Sequence, residues 1–409
     1  MPAGSAPEFH RRVVAALLLA GLATACKQTH IVLDSVTDGG SDETGGTGGT
    51  GGGTSPGSTV TTVSAASVHT CAIAGGALYC WGANDYGQLG VGDTDTRPTP
   101  TRVDDGTDWR DVQVGERSSL GLKQDGSIWS FGANDVGQLG QGDFVQQTKP
   151  TPIGTRRDWR AIATRFNHAC ALADDDSLWC WGKGGEGQLG QDDPGPTGMD
   201  RPTPTQVKTD QDFAMVDTGE GHTCAIRRDH SLWCWGRNSK AILGQPPGSP
   251  EQIRHPVQVG KDTDWQLVRS GQSTTCGLRG GLVYCWGEVI DQNLPGSAGL
   301  TQVSAPTLIG APAGAKGLSF NTFGGCSFDA QGKGACWGRN MEGQLGLDDM
   351  KDRDGVVVLP IAGWTSLSSG RFYTCGIRSG GLWCAGDNRE DQIAQGSVKF
   401  VFKFFQVDI

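Results

Sequence analysis

Paired cysteines are the feature that most constrains the fold of this chain. Twelve of its thirteen cysteines form six pairs, spaced nine or ten residues apart, and each pair occupies the same place in a sequence unit that occurs seven times. The pairs are Cys71 with Cys80, Cys170 with Cys180, Cys224 with Cys234, Cys276 with Cys285, Cys326 with Cys336 and Cys375 with Cys384. The second unit has Leu120 and Ser130 at the two positions, so both cysteines are absent together, as we expect for a bonded pair.

The residues between two paired cysteines predict a β-hairpin. Between Cys71 and Cys80, two short apolar runs flank Gly75-Gly76, a dipeptide that favours a two-residue turn. Counting outward from this turn places the two cysteines opposite each other on antiparallel strands, close enough for a disulfide. A spacing of ten adds one residue to the turn and leaves the two cysteines opposite each other. We therefore predict six disulfides rather than zinc sites, whose ligands are usually spaced more closely.

Export from the cell is the second prediction, because disulfides persist in oxidising compartments. Arg11 and Arg12 precede an apolar run over residues 13–22 that is too short to span a bilayer, and small residues follow it. This pattern predicts a signal peptide over residues 1–25. The LATAC segment resembles a lipobox, with Ala23 where the motif usually has leucine. We expect Cys26 to carry a lipid at the bacterial outer membrane or cell surface, with plain secretion as the alternative.

A flexible tether and a globular body follow the predicted signal peptide. Residues 26–59 are rich in Gly, Thr and Ser, a composition that cannot bury a core. The body spans residues 60–409. The whole chain has a formal charge of −10, which disfavours nucleic acid as a partner and suits a soluble exported protein.

Seven units of about fifty residues predict a closed ring of small sheets. The marker of each unit is a Trp-Gly pair or its equivalent, at residues 81, 131, 181, 235, 286, 337 and 385. Four short strands per unit, without helical periodicity, predict an all-β, seven-bladed β-propeller. We expect an N-terminal strand (residues 61–68) and a C-terminal strand (residues 399–409) to complete one blade together and so close the ring. An open solenoid is the alternative.

The recurring segments HTCAI, LYCWG and NDxGQLGxGD resemble the repeats of the regulator of chromosome condensation (RCC1) family, whose fold is a seven-bladed propeller. The resemblance covers about residues 60–400 and is weakest over residues 288–296 and 387–396. The founding role of this family is nucleotide exchange on a small nuclear GTPase, so the resemblance implies that activity. Three features of this chain oppose it: the export signal, the paired cysteines and the acidic charge. A secreted bacterial branch that inhibits β-lactamases with one propeller face fits the predicted compartment better.

The loops that enter the cysteine strands are the candidate binding site. Such loops meet at one end of a propeller, and their residues vary from unit to unit while the frame stays constant. Arginine and aromatic side chains in these loops are typical of interface hot spots. The candidate partner-binding residues are Arg117, Phe166, Phe323, Arg371, Phe372 and Tyr373. The alternative is that these side chains fill the central channel.

Metal and catalytic sites are not predicted. His69, His168 and His222 share one repeat position, for which we favour a hydrogen bond over metal binding. The QDGSIW segment (residues 124–129) resembles the Asp-box of sialidases, but its spacing is shorter by one residue. No GxSxG, HExxH, P-loop or dinucleotide motif occurs, so we assign no catalytic residue and no cofactor.

These patterns together predict the function. We expect a monomeric, lipid-anchored propeller that acts as a non-catalytic protein-binding scaffold at the bacterial cell surface, with an unknown protein partner. An inhibitor of a periplasmic or cell-wall enzyme is the narrower alternative. A secreted carbohydrate-active hydrolase, which would need two carboxylates across a cleft, is the rival class.

Overall fold

Seven four-stranded antiparallel sheets make up the structure, a computed structural model that describes residues 59–192, 199–208, 212–290 and 293–409. The predicted all-β, seven-bladed propeller is confirmed. The predicted signal peptide, Cys26 and all but the last residue of the predicted tether lie outside the described residues. In the part of the chain that the structure describes, no helix is long and apolar enough to cross a membrane.

Each blade consists of four consecutive strands, numbered here in chain order. Blade 1 contains β1 (Val60–Ala65), β2 (His69–Ala74), β3 (Ala77–Gly82) and β4 (Arg97–Arg102). Blade 2 contains β5 (Trp109–Val114), β6 (Ser118–Lys123), β7 (Ile128–Gly132) and β8 (Gln147–Pro152). Blade 3 contains β9 (Trp159–Thr164), β10 (His168–Ala173), β11 (Leu178–Gly182) and β12 (Arg201–Gln206). Blade 4 contains β13 (Phe213–Thr218), β14 (His222–Arg227), β15 (Leu232–Arg237) and β16 (Gln252–Gln258).

The remaining three blades repeat this arrangement. Blade 5 contains β17 (Trp265–Ser270), β18 (Thr274–Arg279), β19 (Leu282–Glu288) and β20 (Gln302–Leu308). Blade 6 contains β21 (Ala315–Phe320), β22 (Gly324–Asp329), β23 (Gly334–Gly338) and β24 (Arg353–Val358). Blade 7 contains β25 (Trp364–Ser369), β26 (Tyr373–Arg378), β27 (Gly381–Asp387) and β28 (Phe400–Val407). One short 3-10 helix, Ser239–Ala241, lies in the loop after β15.

The second and third strands of each blade form the predicted hairpin. In blade 1 the paired cysteines face each other directly, and the turn-closing pair is Ala74 with Ala77. In blade 2 the same register places Leu120 opposite Ser130. Counting outward from the turn therefore gives the correct register with or without a disulfide.

The six predicted disulfides are confirmed. In each bonded pair the Cα atoms lie 4.0 to 4.1 Å apart, on facing positions of the hairpin. The bonds join Cys71 to Cys80, Cys170 to Cys180, Cys224 to Cys234, Cys276 to Cys285, Cys326 to Cys336 and Cys375 to Cys384. Each bond joins two strands of one blade, and its cysteines also pack in the buried clusters that join neighbouring blades.

The first strand of each blade lies nearest the axis of the ring. These seven strands contact their counterparts in both neighbouring blades. The fourth strand lies at the outer edge, where the prolines of β4 and β12 are tolerated because an edge strand leaves one row of N–H groups unused. The loops between first and second strands therefore converge around the axis.

The core lies between blades rather than inside them. Ile73 and Leu78 of blade 1, for example, form one buried cluster with Val112 and Phe131 of blade 2. A single small sheet has too little apolar surface to be stable, and stacking it against its neighbours supplies the rest. Blade 7 has Ala385 in place of the usual tryptophan, and Phe404 of the outer strand packs in the same cluster.

The ring closes differently from our prediction. The terminal strands do not share a blade, because β1 pairs with β2 and β28 pairs with β27. Closure depends on packing, since residues of blades 1 and 7 form one buried cluster. Val60 N–H donates to Gly380 O at 3.0 Å, as Trp109 N–H donates to Gly76 O between blades 1 and 2. The chain enters blade 1 at the innermost strand and leaves blade 7 at the outermost strand, so neither blade lacks a strand.

Candidate functional site

A funnel opens on the axis at the end of the propeller where the first and second strands are joined. We call this end the mouth face; it also carries the loops between third and fourth strands. The funnel has an empty volume of about 500 Å³ that is open to solvent. All seven blades contribute to its lining, which consists of Ala66, Ser67, Glu116, Arg165, Phe166, Glu220, Gln272, Asn321, Thr322 and Arg371.

Five of the six predicted partner-binding residues lie at the mouth face. Arg117 and Arg371 are exposed, and Phe166, Phe323 and Phe372 are half-buried. Phe166 and Arg371 line the funnel itself.

The mouth face carries a pair of stacked rings in blades 6 and 7. The Phe323 and Phe372 centroids lie 5.5 Å apart, with 14° between the ring planes. The Arg339 guanidinium carbon lies 5.4 and 5.5 Å from the two centroids, and that of Arg371 lies 5.3 Å from the Phe372 centroid. Arg339 is also hydrogen-bonded to Glu342 at 2.8 Å. These contacts bring two aromatic faces and two cations together.

Arg339 was not among the predicted site residues, although the sequence contains a signal for it. It directly follows Trp337-Gly338, and this position opens the loop that returns to the mouth face in every unit. A second pair, Arg117 over the Tyr86 ring at 4.8 Å, uses the corresponding loop of blade 1. Both contacts therefore come from loops whose position the repeat already defines.

Tyr373 is not part of the mouth surface, so this prediction is wrong. Its side chain is 0% exposed. The hydroxyl donates to His69 O at 2.6 Å and accepts from Thr70 Oγ1 at 2.9 Å and Ala66 N at 3.2 Å. Burial raises the pKa of this phenol above its usual range. The position two residues before the cysteine directs the ring into the seam between blades 7 and 1, where it supports closure.

The three histidines occupy the same seam position in other blades. The Nε2 atoms of His69, His168 and His222 lie 3.0, 2.8 and 2.9 Å from hydroxyls of the next blade. The hydroxyls belong to Ser119, Thr223 and Thr275. Burial lowers the pKa of each imidazole to about 3, so the rings are neutral at ordinary pH. The hydrogen bond that we favoured is therefore present, although it joins two blades.

No group of three or more potential metal ligands occurs in the described part of the chain. The Asp-box-like segment is also accounted for by local bonding. Ser127 Oγ donates to Asp125 Oδ1 at 2.6 Å, and Trp129 Nε1 donates to Ser127 Oγ at 2.8 Å. This chain of bonds shapes the hairpin turn, at the end of the propeller opposite the mouth face.

Charged side chains outside the predicted set also lie around the axis, in and next to the funnel. Arg165 of blade 3 donates from Nη2 to the carbonyl oxygen of Ser369 in blade 7 at 2.8 Å. Asp217 accepts from Ser270 N at 2.6 Å, and its other oxygen lies 3.7 Å from Arg269 Nη1. Burial lowers the pKa of Arg165 and raises that of Asp217.

The repeat itself contains a signal for Arg165. The equivalent residue is glycine in four other units, at positions 115, 219, 271 and 370. A long cationic side chain at a position otherwise kept small has to extend into the channel.

Comparison with known sequences agrees with this architecture. One model of the regulator of chromosome condensation (RCC1) repeat matches residues 75–122, 125–172 and 175–226, and a second model of the same repeat matches residues 160–188 and 216–241. The chain therefore contains RCC1 repeats. Its described blades continue the RCC1 fold well beyond the last matched residue.

Solved RCC1-like structures share this propeller. Yeast RCC1 (Prp20), in a crystal structure with Kap60, is 17% identical with a TM-score of 0.72, over 81% of this chain and 83% of that chain. Human WBSCR16 is 18% identical with a TM-score of 0.69, over 79% and 88%. Prp20p from Saccharomyces cerevisiae, in a study of its binding to Gsp1p and histones, is 19% identical with a TM-score of 0.68, over 81% and 85%. At these identities the likeness establishes the fold alone.

Proposed function

We propose that this RCC1-repeat propeller is an exported, lipid-anchored scaffold of the bacterial cell surface that binds a protein partner through its mouth face without catalysing a reaction. One observation carries the proposal. Blades with a constant frame present different side chains at the mouth face, including the stacked Phe323 and Phe372 rings beside two arginines.

The mouth face has the chemistry of a protein interface. Aromatic and arginine side chains dominate interface hot spots, because they bury large areas and keep directional contacts. The contacts of Phe372 with Phe323, Arg339 and Arg371 already order these side chains. Less entropy is therefore lost when a partner covers them.

Export and the lipid anchor have separate support. Six disulfides fit an extracellular or secreted protein. The anchor rests on the sequence before Cys26, in which an apolar run and small residues precede the cysteine. In the producing cell, a Cys26→Ser variant should appear in the medium or the soluble periplasm, and the native chain should remain with the membrane fraction. Equal partition of the two chains would remove the anchor from the proposal.

Capture from a cell-envelope extract tests the binding role. One variant replaces Arg117, Phe166, Phe323, Arg371 and Phe372 with alanine and leaves the buried Tyr373 intact. The matched control is Leu308→Ala with Val358→Ala, two exposed apolar residues at the opposite end of the propeller. The native chain and the control should enrich one dominant protein, and the mouth variant should bind it at least about 100-fold more weakly.

Two results would contradict the proposal. One is that the mouth variant, with an unchanged unfolding temperature, retains the affinity of the native chain. The other is turnover of glycans or peptidoglycan fragments by the native chain, which would support the rival class of a secreted hydrolase. If the captured protein is an enzyme, its activity with and without the propeller tests the narrower proposal of an inhibitor.

A further inference from the structure

Arg165 has an unusual position in this propeller. It follows the innermost strand of blade 3, and it reaches across the axis to the main chain of Ser369, where the innermost strand of blade 7 ends. It lines the axial funnel together with the exposed Arg371. Two guanidinium groups from nearly opposite blades therefore face one solvent-filled space.

Most of the hydrogen-bonding capacity of Arg165 is unused within the described residues. A guanidinium carries five N–H donors. The bond from Nη2 to Ser369 O is the one hydrogen bond found for this side chain in the described part of the chain. The remaining donors are open to the funnel, and a carboxylate that accepts two parallel bonds is the ligand that best matches the geometry of a guanidinium.

Two of the acidic side chains at the axis, Glu220 and Asp217, already have partners. Glu220 Oε2 lies 2.8 Å from Arg237 Nη2. Asp217 is held by Ser270 N–H and by Arg269, and it also attracts Arg165 electrostatically without forming a direct ion pair with it in the described part of the chain. Neither carboxylate is free to turn toward Arg165 without breaking these contacts.

We propose that the axial funnel receives an acidic side chain from the partner, which pairs with Arg165 and is flanked by Arg371. This inference rests on the proposed protein-binding function and names the chemistry of its central contact. The ligand is an aspartate or glutamate on a protruding loop, because the funnel is concave and all seven blades surround it. Glu116 at the funnel wall favours the opposite ligand, a lysine, so the test includes one.

The test uses capped amino acids as probes and the full chain as the receptor. The probes are N-acetyl glutamate N-methylamide, its glutamine counterpart and its lysine counterpart. Binding is followed through the Arg165 Nε–Hε NMR signal, assigned by its loss in Arg165→Lys. The glutamate probe should shift this signal saturably with a Kd of about 1 to 10 mM, and the glutamine probe should not.

Variants separate a ligand site from a structural contact. Arg165→Met should weaken the glutamate probe at least about tenfold, and Arg165→Lys should weaken it less, because charge remains while the fork is lost. These affinities are read from other signals of the funnel lining. Arg102→Met is the control, since Arg102 is exposed on an outer strand and donates to backbone carbonyls of residues 104 to 106. Equal shifts with the glutamine probe, tighter binding of the lysine probe, or full glutamate binding in Arg165→Met would each overturn the acidic site.

The two proposals fail in different ways. If the captured partner depends on the mouth aromatics but binds Arg165→Met as tightly as the native chain, the binding function stands and the acidic contact does not. If the glutamate probe binds at Arg165 but the affinity of the partner is unchanged in the mouth variant, the funnel binds carboxylates but the partner binds elsewhere, and the proposed contact with the partner is wrong.

Discussion

The two ends of this propeller are built from the same repeat but differ in how far the repetition extends. At the hairpin end, blades 2, 3 and 4 share one Asp-Ser-Trp chain of hydrogen bonds. A cation also lies over an aromatic ring in five blades, from Lys123, Arg156, Arg227, Arg279 and Arg378. At the mouth face, the loops between third and fourth strands also repeat a contact, since Leu89 N–H donates to Asn84 Oδ1 as Leu139 N–H donates to Asn134 Oδ1. The loops between first and second strands, in contrast, hold different residues at equivalent positions. Repeated contacts serve stability, which every blade needs equally, and the variable loops give the one asymmetric surface on which the proposed recognition rests.

Acid should weaken the mouth end before the hairpin end. His69, His168 and His222 have a pKa of about 3 when folded and about 6.5 when unfolded. Because the folded value is lower, their contribution is complete above pH 6.5 and is lost as pH falls toward 3. Each histidine should cost about 1.4 kcal/mol of unfolding free energy per pH unit in that window. Denaturant unfolding between pH 7 and 5 measures this slope.

A His168→Gln variant is the control for that slope. Glutamine retains a polar group for the Thr223 hydroxyl but does not titrate. The slope between pH 7 and 5 should decrease by about one third, since three buried histidines share it. An unchanged slope would mean that other groups cause the acid sensitivity.

Loss of one disulfide should lower stability without changing recognition. Replacing Cys170 and Cys180 together by alanine opens a loop of about ten residues, which should cost about 2 to 3 kcal/mol of unfolding free energy. The affinity for the captured partner should stay within about twofold, because this bond lies inside a blade. The opposite change adds a cysteine pair to blade 2 with Leu120→Cys and Ser130→Cys, since these residues face each other in the same register. It should raise stability and leave the affinity unchanged. A large loss of affinity in the first variant would show that frame and recognition are coupled.

Tyr373→Phe tests whether Tyr373 serves the seam between blades or the mouth face. Tyr373 is two residues from Arg371, yet its hydroxyl serves the seam between blades 7 and 1. Removing the hydroxyl should cost about 1 to 3 kcal/mol of unfolding free energy, because buried groups lose their partner. Partner affinity should not change. A variant that keeps native stability but loses affinity would return Tyr373 to the binding site.

The smallest effect is expected at the hairpin turns. The Ser177 hydroxyl and N–H hold the pKa of Asp175 below its usual range. A lowered folded pKa means that this contribution is present above about pH 4 and is lost as pH falls through the folded value. Asp175→Asn should cost less than about 1 kcal/mol at pH 7, because the carboxylate is largely exposed. A thermal shift of Asp175→Asn that disappears near pH 3 would support this account.

The repeat made most of the frame predictable. Hairpin register follows from counting outward from Gly75-Gly76, and this count placed Cys71 opposite Cys80 correctly. The way the ring closes was not predictable by such a count. The sequence predicts a first and a last strand, and it looks the same whether these two strands share a blade or belong to separate blades. In the structure the chain begins its first blade at the innermost strand, so β1 pairs with β2 and β28 pairs with β27.

The sequence predicted which loops carry the site residues, but not which way their side chains point. Residues 371, 372 and 373 are adjacent where a loop enters β26, and the sequence presents them as equivalent candidates. Only packing shows that the first is exposed and that Tyr373 enters a seam. Arg165 was missed for the same reason, since its role depends on Ser369, 204 residues away.

The amino-acid sequence alone determined the hairpins, their disulfides, the number of blades and the end at which variable loops meet. These features depend on contacts between residues close in the chain, repeated with a constant period. Only the tertiary structure decided how the ring closes, which loop side chains face solvent and which charges meet on the axis. Those outcomes depend on distances between blades far apart in sequence, which no local pattern encodes.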